Sequence, residues 1–318
     1  MPETNALRSL SVIIPTYNRE KLLAKALEGY LAQSTPELVF ELLVVDDGST
    51  DGTATMVREF RERSPFPIRY LRQPNQGPAA ARNLGIREAA SSIVLFTDSD
   101  IVPERELVAQ HLEWHRANPQ TSAAVLGYVT WPEEIKATPF MRWYGENALF
   151  GYRGIRGKRE IDFRFFYTCN LSLKTDFLRT CGQFDEEFKS AAWEDIELGF
   201  RLEKTGLRLL YNPQAIAFHH QFFTFEEACR KALANSAWRK LFFTKEAGQC
   251  LLAQRRRRRS GIKRFGKLLA TGLGKAMESS VGLLDSGIPV PSLVYRSLYW
   301  YRVERQFEPM EGNGAKRM

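Results

Sequence analysis

The feature that most restricts what this chain can fold into is a recurring pattern of a short apolar run ending in a polar turn. The stretches "LSVIIPTYN", "FELLVVDDGSTDG" and "SSIVLFTDSD" all show it. Apolar runs this short, without alternation, fit strands buried on both faces, as in parallel sheets covered by helices. Helical periods lie between them: Glu20 to Gln33 (Leu22, Leu23, Ala26, Leu27, Tyr30 on one stripe), Thr53 to Arg63, and the Ala-rich Ala79 to Ala90. "IRYL" adds a short strand, and Pro103 suits the first turn of a following helix. Strand–helix alternation predicts an α/β domain with a mostly parallel twisted sheet and helices on both faces. In such sheets ligands sit beyond the carboxyl ends of the strands, so the three polar ends are expected to form one site.

Those ends carry carboxylates at places where burial makes them costly without a partner. In "VLFTDSDIVP", Asp98 and Asp100 flank Ser99. Such a pair at a strand end can hold a hard divalent ion that bridges phosphate oxygens. Alternatively, "LFTDSDIV" resembles the nucleophile loop of haloacid-dehalogenase-type phosphatases, with Asp98 as nucleophile. That loop follows the first strand of its domain, whereas this one follows about the fourth. Two capping aspartates are the plainest alternative. In "VVDDGSTDGT" a calcium loop fails at its closing position, which is Arg58 and not Glu. A dinucleotide fold fails because no G-x-G-x-x-G follows the first strand.

Further along, "WEDIELGFRL" supplies Trp193, Glu194, Asp195 and Glu197 at the start of a helix. Glu197 reads as a complement to the helix dipole. An aromatic beside a carboxylate suits a sugar face next to a base. "AIAFHH" offers His219 and His220. Strand parity puts His219 with the small Ala215 and Ala217, which leaves room for a ligand and makes it the better metal candidate. The stretch from Phe140 to Tyr167 is rich in aromatics, whose commonest fate is the core. Thr224 and Glu227 match a capping box.

Five segments together resemble inverting family 2 glycosyltransferases of GT-A fold: "SVIIPTYNRE", "LLVVDDGSTDGT", "NQGPAAARNLGIREA", "LFTDSD" and "GQFDEEFKSAAWEDIELGFRLEKTG". They stand in that family's order and cover most of residues 9 to 222. The resemblance implies a nucleotide-diphosphate sugar donor, commonly a UDP-sugar, with Mn2+ or Mg2+ and a carboxylate base. Pro15, Thr16 and Tyr17 would flank the nucleotide, and Asp46 would hydrogen-bond its base. Asn75 and Arg82 would line the donor site. Asp98 would face ribose and metal, while Asp100 and His219 would bind the metal. Asp195 would be the base, with Glu194 serving acceptor hydroxyls and Trp193 and Asn170 on the acceptor side. The acceptor would be a hydroxyl of a glycan or lipid-linked molecule. A phosphatase using Asp98, or a sugar-nucleotide-binding scaffold without turnover, are the alternatives.

The catalytic region is expected to span residues 1–245, with a donor half to about 130, followed by a basic helical extension over 246–318. The net charge of +8 is concentrated there: residues 251–318 hold 14 Lys and Arg against 5 Asp and Glu. That extension pairs "RRRRR" with an amphipathic pattern (Ile262, Phe265, Leu268, Leu269, Leu273), which suits an anionic membrane surface or docking on the catalytic region. Nucleic acid is less favoured, because no binding motif accompanies the charge. No run approaches the roughly 18 apolar residues of a membrane span. The N-terminus lacks a secretory pattern, and the four cysteines lack metal or redox spacing. A cytoplasmic protein is expected, with peripheral attachment to the inner face of the membrane as an option for the tail.

Overall fold

The computed structural model describes residues 9–34, 40–190, 192–257, 277–285, 288, 290–303 and 306. The amphipathic pattern from Ile262 to Leu273 and the last two residues of the arginine run, Arg258 and Arg259, lie outside the described residues. Two compact units are present: Met1–Pro132 with Tyr152–Gln221, and Glu133–Gly151 with Phe222–Met318.

The first unit is built on one sheet. Its strands are β1 (Leu10–Thr16), β2 (Phe40–Asp46), β3 (Ile68–Arg72), β4 (Ile93–Thr97), β5 (Ile101–Pro103), β6 (Ala123–Thr130), β7 (Glu160–Ile161), β8 (Asn170–Lys174) and β9 (Arg208–His219). Their order is β3-β2-β1-β4-β8-β6-β9-β5, with β7 also on β9. The predicted parallel arrangement is found for β1 through β4. Beyond them the sheet is mixed: β8 runs antiparallel to both β4 and β6, and β9 is parallel to β6 but antiparallel to β5. Every residue of β1, β2 and β4 is buried, as an unbroken apolar run demands. Pro15 falls inside β1, but the ladder with β4 ends at Ile13. It therefore sits where the strand is paired on one side only, a place that tolerates a residue without N–H.

Helices α1 (Glu20–Leu31), α2 (Thr53–Arg63), α3 (Pro78–Glu88) and α4 (Leu107–Ala117) cover this sheet. In α1 the buried residues are Leu23, Ala26, Leu27 and Tyr30, the predicted stripe except Leu22, which is half-buried. Helix α3 starts with Pro78 at its first turn and buries Ala79, Ala80, Ala81, Gly85 and Ile86. Its small residues allow close approach to β1. A Cβ on Gly85 would stand 2.5 Å from Ile13 Cγ2. Pro103 does not open a helix as expected: it ends β5, and α4 begins at Leu107. Pairing with β9 claims this short segment as a strand.

The second unit is helical where described. Its elements include Pro139–Tyr144, Phe225–Ala234, Ser236–Thr244, Glu246–Arg257 and Ser292–Arg302. The expected capping box forms: Thr224 Oγ1 accepts from Glu227 N, and Glu227 Oε2 accepts from Thr224 N. Phe140 is fully buried and packs its ring 5.3 Å from Phe225 and 5.8 Å from Tyr295. In the first unit Phe163 and Phe166 are also buried. The aromatic segment thus supplies core on both sides of its midpoint.

Candidate active site

The carboxyl ends of β1, β2 and β4 lie side by side, as parallel register requires. At the end of β2, Asp46 is 1% exposed. Its Oδ1 accepts from Ser49 N at 2.8 Å, and its Oδ2 accepts from Tyr70 Oη. Burial, reinforced by Asp46, pushes the Tyr70 phenol well above its ordinary pKa. The neighbouring Asp47 accepts from Gln73 Nε2, Gln76 N and Gly77 N, each at 2.8 Å. Gly77 has φ 95 and leads into α3. Asp47 therefore holds the "NQGP" loop against the strand end, a structural role that the sequence leaves undistinguished from that of Asp46. Asn75 is exposed on this loop. Pro15 and Thr16 are buried in β1, whereas Tyr17 just beyond is 47% exposed.

The centre of the site is Arg82. Its side chain is 2% exposed, and its two terminal nitrogens part company. Nη2 donates to Asp98 Oδ1 and Nη1 to Glu194 Oε1, both at 2.8 Å. One buried guanidinium therefore joins "TDSD" to "WED", motifs 96 positions apart in the chain. Burial works against its charge, but Asp98 and then Glu194 raise its pKa further above the ordinary arginine value. Phe184 lies under the guanidinium, 5.6 Å from ring centroid to Cζ.

Glu194 departs from expectation. It is 2% exposed, and its other oxygen accepts from Ala192 N at 2.8 Å. With both oxygens engaged it does not present a carboxylate to an acceptor; it fixes the turn before the helix Glu194–Lys204. That turn is strained: Ala192 and Trp193 have φ of 148 and 79. A bulky residue in the left-handed region is an outlier that surrounding structure must impose. Glu194 Oε2 ties the Ala192 N–H across this turn, and Asp195 follows it at the start of the helix. Asp195 is half-buried, and its Oδ1 accepts from Ile196 N at 2.8 Å. Burial, reinforced by the charge of Glu194, pushes its carboxyl up to about 8. Trp193 is half-buried beside it. Glu197 behaves as predicted, pairing with Arg201 one turn on at 2.9 Å.

His219 arrives by strand pairing. β5 follows directly on the "DSD" turn and pairs antiparallel with β9, setting Ile101 opposite His219. His220 N donates to Asp100 O at 2.8 Å. As a result His219 Nε2 lies 3.9 Å from Asp100 Oδ2. The parity argument places it correctly: Ala215, Ala217 and His219 share the buried face, while Ile216 and Phe218 are half-buried. Trp131 meets the imidazole edge-on, centroids 6.4 Å apart. A residue that sequence reasoning passed over is Arg19. Its Nη1 donates to the same Asp100 Oδ2 at 2.8 Å.

Asn170 is a correction. It is 1% exposed, and its Nδ2 donates to Ala215 O at 2.9 Å while its Oδ1 faces His111 Nε2 at 2.8 Å. It stitches β8 to β9 and α4 inside the core and does not face an acceptor.

Among the described residues, no group of three or more His, Cys, Asp or Glu converges on a point that could hold an ion. In the pairs above Asp98 is held by Arg82 and Asp100 by Arg19. What remains is one carboxylate and one imidazole sharing an edge. A carboxylate oxygen and an imidazole nitrogen are donors that a divalent cation of the first transition row accepts.

The match to known proteins decides the family. The glycosyl transferase family 2 model ("Glycosyl transferase family 2") matches residues 11–181. The chain belongs to this family. Two relatives are similar to this chain. Validoxylamine A glucosyltransferase of Streptomyces hygroscopicus subsp. limoneus is 35% identical over 237 residues, covering 67% of this chain and 51% of the relative. Chondroitin synthase of Escherichia coli is 30% identical over 243 residues, covering 67% and 34%. The chain thus spans about half the length, or less, of these two relatives. The fold is shared with the mannosyltransferase PcManGT of Pyrobaculum calidifontis, solved with GDP-Man and Mn2+ (TM-score 0.58, 19% identity, 98% of this chain and 89% of that one). It is shared also with S. aureus TarS 1-349 in complex with UDP (TM-score 0.52, 18% identity, 98% and 94%). Family membership sets aside the phosphatase reading of Asp98.

Proposed function

We propose that this family 2 chain transfers a glycosyl group from a nucleotide-diphosphate sugar, a UDP-sugar in the first instance, to a hydroxyl of a glycan or lipid-linked acceptor, with inversion. The observation that carries the reading is the Arg82 bridge. By joining Asp98 to Glu194 it sets the strand-end edge, where a donor would lie, beside the Asp195 turn, where an acceptor would be deprotonated. The acceptor oxygen attacks the anomeric carbon, the bond from that carbon to the diphosphate oxygen breaks, and the acceptor proton passes to an Asp195 oxygen. A carboxyl raised to about 8 is a stronger base than an ordinary aspartate once ionised. Glu194 acts through position, by holding the turn. Asp100 and His219 would hold a divalent cation, Mn2+ or Mg2+, which when bound supplies Lewis-acid charge against the departing diphosphate. Tyr17 and Asn75 would line the nucleotide; their exposure, at the end of β1 and on the loop held by Asp47, supports that reading. Asp46, buried with both oxygens engaged, reaches the base only by exchanging a present partner.

The test is Asp195→Asn, which keeps shape and removes basicity. Transfer should fall by roughly 10²–10⁴-fold, the usual worth of a positioned general base, with donor binding by calorimetry nearly unchanged. Wild-type kcat/KM should climb toward alkaline pH through the raised Asp195 pKa. Transfer by the variant at near wild-type rate would remove Asp195 from the role. Donor binding without transfer to any hydroxyl acceptor would favour a scaffold.

A further inference from the structure

We propose that Arg19 is a placeholder for the cation: its guanidinium neutralises Asp100 while the donor site is empty, and moves to the donor's diphosphate when a divalent cation takes the carboxylate. The inference rests on the reading of Asp100 and His219 as cation ligands and adds a residue to it.

The geometry begins with one oxygen. Asp100 Oδ2 receives Arg19 Nη1 at 2.8 Å and lies 3.9 Å from His219 Nε2. The Asp100 side chain is only 10% exposed, so its charge needs a partner whether or not a donor is present. A cation bound to that oxygen at roughly 2.1 Å would stand within a few ångströms of the guanidinium, and two like charges at that separation repel. Arg19 and the cation therefore exclude each other at Asp100.

Arg19 is built to leave without disturbing the fold. Its backbone is clamped from the residue before. Asn18, at φ 50, donates its N–H to Ser49 Oγ at 2.9 Å and accepts from Thr50 N at 2.8 Å. Helix α1 starts directly after it, with Glu20 N donating to Asp51 Oδ2 at 3.1 Å. The Arg19 side chain is 38% exposed, and among the described residues it pairs with Asp100 alone. A long side chain on an anchored backbone can swing from the carboxylate toward an incoming diphosphate. A guanidinium suits that destination, because its fork matches phosphate oxygens. Arg82 differs: buried and doubly paired, it stays in place.

Exchange of this kind makes cation and nucleotide bind together. Without nucleotide the cation must expel Arg19 into water. With nucleotide, the diphosphate receives both.

The experiment uses the full chain and reads Mn2+ binding by the loss of its free electron-paramagnetic-resonance signal, with and without UDP. The variants are Arg19→Gln, Arg19→Lys and Asp100→Asn. In Arg19→Gln, Mn2+ without UDP should bind about two- to fivefold tighter, the worth of a partly exposed ion pair removed from the competition. UDP binding at saturating Mn2+ should weaken by a similar factor, so the cooperativity between Mn2+ and UDP shrinks. Arg19→Lys should keep the competition, since the charge remains. Unchanged or weaker Mn2+ binding in Arg19→Gln, with Asp100→Asn abolishing it, would overturn the placeholder while sparing the cation site. Mn2+ binding that survives Asp100→Asn, or is absent from every variant and the wild type, would overturn both the cation site and the placeholder.

Discussion

Two histidines buried behind the site should make this protein acid-labile in a calculable way. His111 and His115 lie on α4, 0% and 2% exposed, on either side of Ser172 of β8. His111 Nδ1 is 2.7 Å and His115 Nε2 2.9 Å from Ser172 Oγ. The hydrogen bonds dictate the protons. Asn170 spends its amide N–H on Ala215 O, so its oxygen accepts from His111 Nε2–H. His111 Nδ1 must then accept from Ser172 Oγ–H, and Ser172 in turn accepts from His115 Nε2–H. Both rings are neutral in this chain, and an added proton on His111 Nδ1 would break it. Burial lowers His111 from 6.5 to about 4. Burial, with the charge of Lys174, lowers His115 to about 3. The sign follows from the depressed folded values: above pH 6.5 both states are neutral and nothing is lost. As pH falls below 6.5 the unfolded chain takes up protons that the folded chain refuses, and stability drops. At pH 5 each histidine costs about 2 kcal/mol relative to pH 8, so the pair costs at most about 4. That is a large share of the roughly 5–15 kcal/mol typical of a folded protein. Urea unfolding followed by tryptophan fluorescence at pH 8, 6 and 5 measures it. His111→Gln and His115→Gln should each be weaker at pH 8, by about 1 kcal/mol for the altered hydrogen bond. Each should also flatten the slope between pH 6 and 5 by about 1.2 kcal/mol per pH unit. His219 and His220 are common to every variant and cancel in the difference. An unaltered slope in both variants would refute the reasoning.

Two further outcomes follow from the site. Asp100→Ala and His219→Ala should each lose Mn2+-dependent donor binding in calorimetry while melting near the wild-type temperature, and full metal-dependent binding in both would remove them as ligands. Arg82→Gln leaves the 2%-exposed Glu194 carboxylate without its partner and should cost roughly 3–5 kcal/mol in urea unfolding. Adding Glu194→Gln should restore part of that loss, and no recovery in the double variant would show that the buried pair is not its source.

What the sequence determined by itself was everything set by local period and burial. Unbroken apolar runs marked β1, β2 and β4, a stripe from Leu23 to Tyr30 marked the buried face of α1, and parity put His219 on the inner face of β9. Each of these depends on neighbours within a few positions, and apolar residues are buried regardless of what covers them. The polar ends could be assigned to one edge for the same reason, since parallel strands carry their carboxyl ends together. The tertiary structure alone decided the partner of each charge. Asp98 and Asp100 look equivalent in "TDSD", yet Arg82 takes one and Arg19 the other. Glu194 and Asp195 are adjacent in sequence, yet one is hydrogen-bonded to Arg82 and the other is raised by burial and by the charge of Glu194. Asn170 is drawn inside because β8 inserts antiparallel between β4 and β6, a reversal written in no local pattern. Residues 133–151 join the C-terminal helices through aromatic packing on residues far along the chain, such as Phe140 on Tyr295. An ion pair or an aromatic contact forms wherever the backbone brings two groups within a few ångströms, and for these groups the partners stand 16 to 155 positions apart, which sequence spacing does not encode.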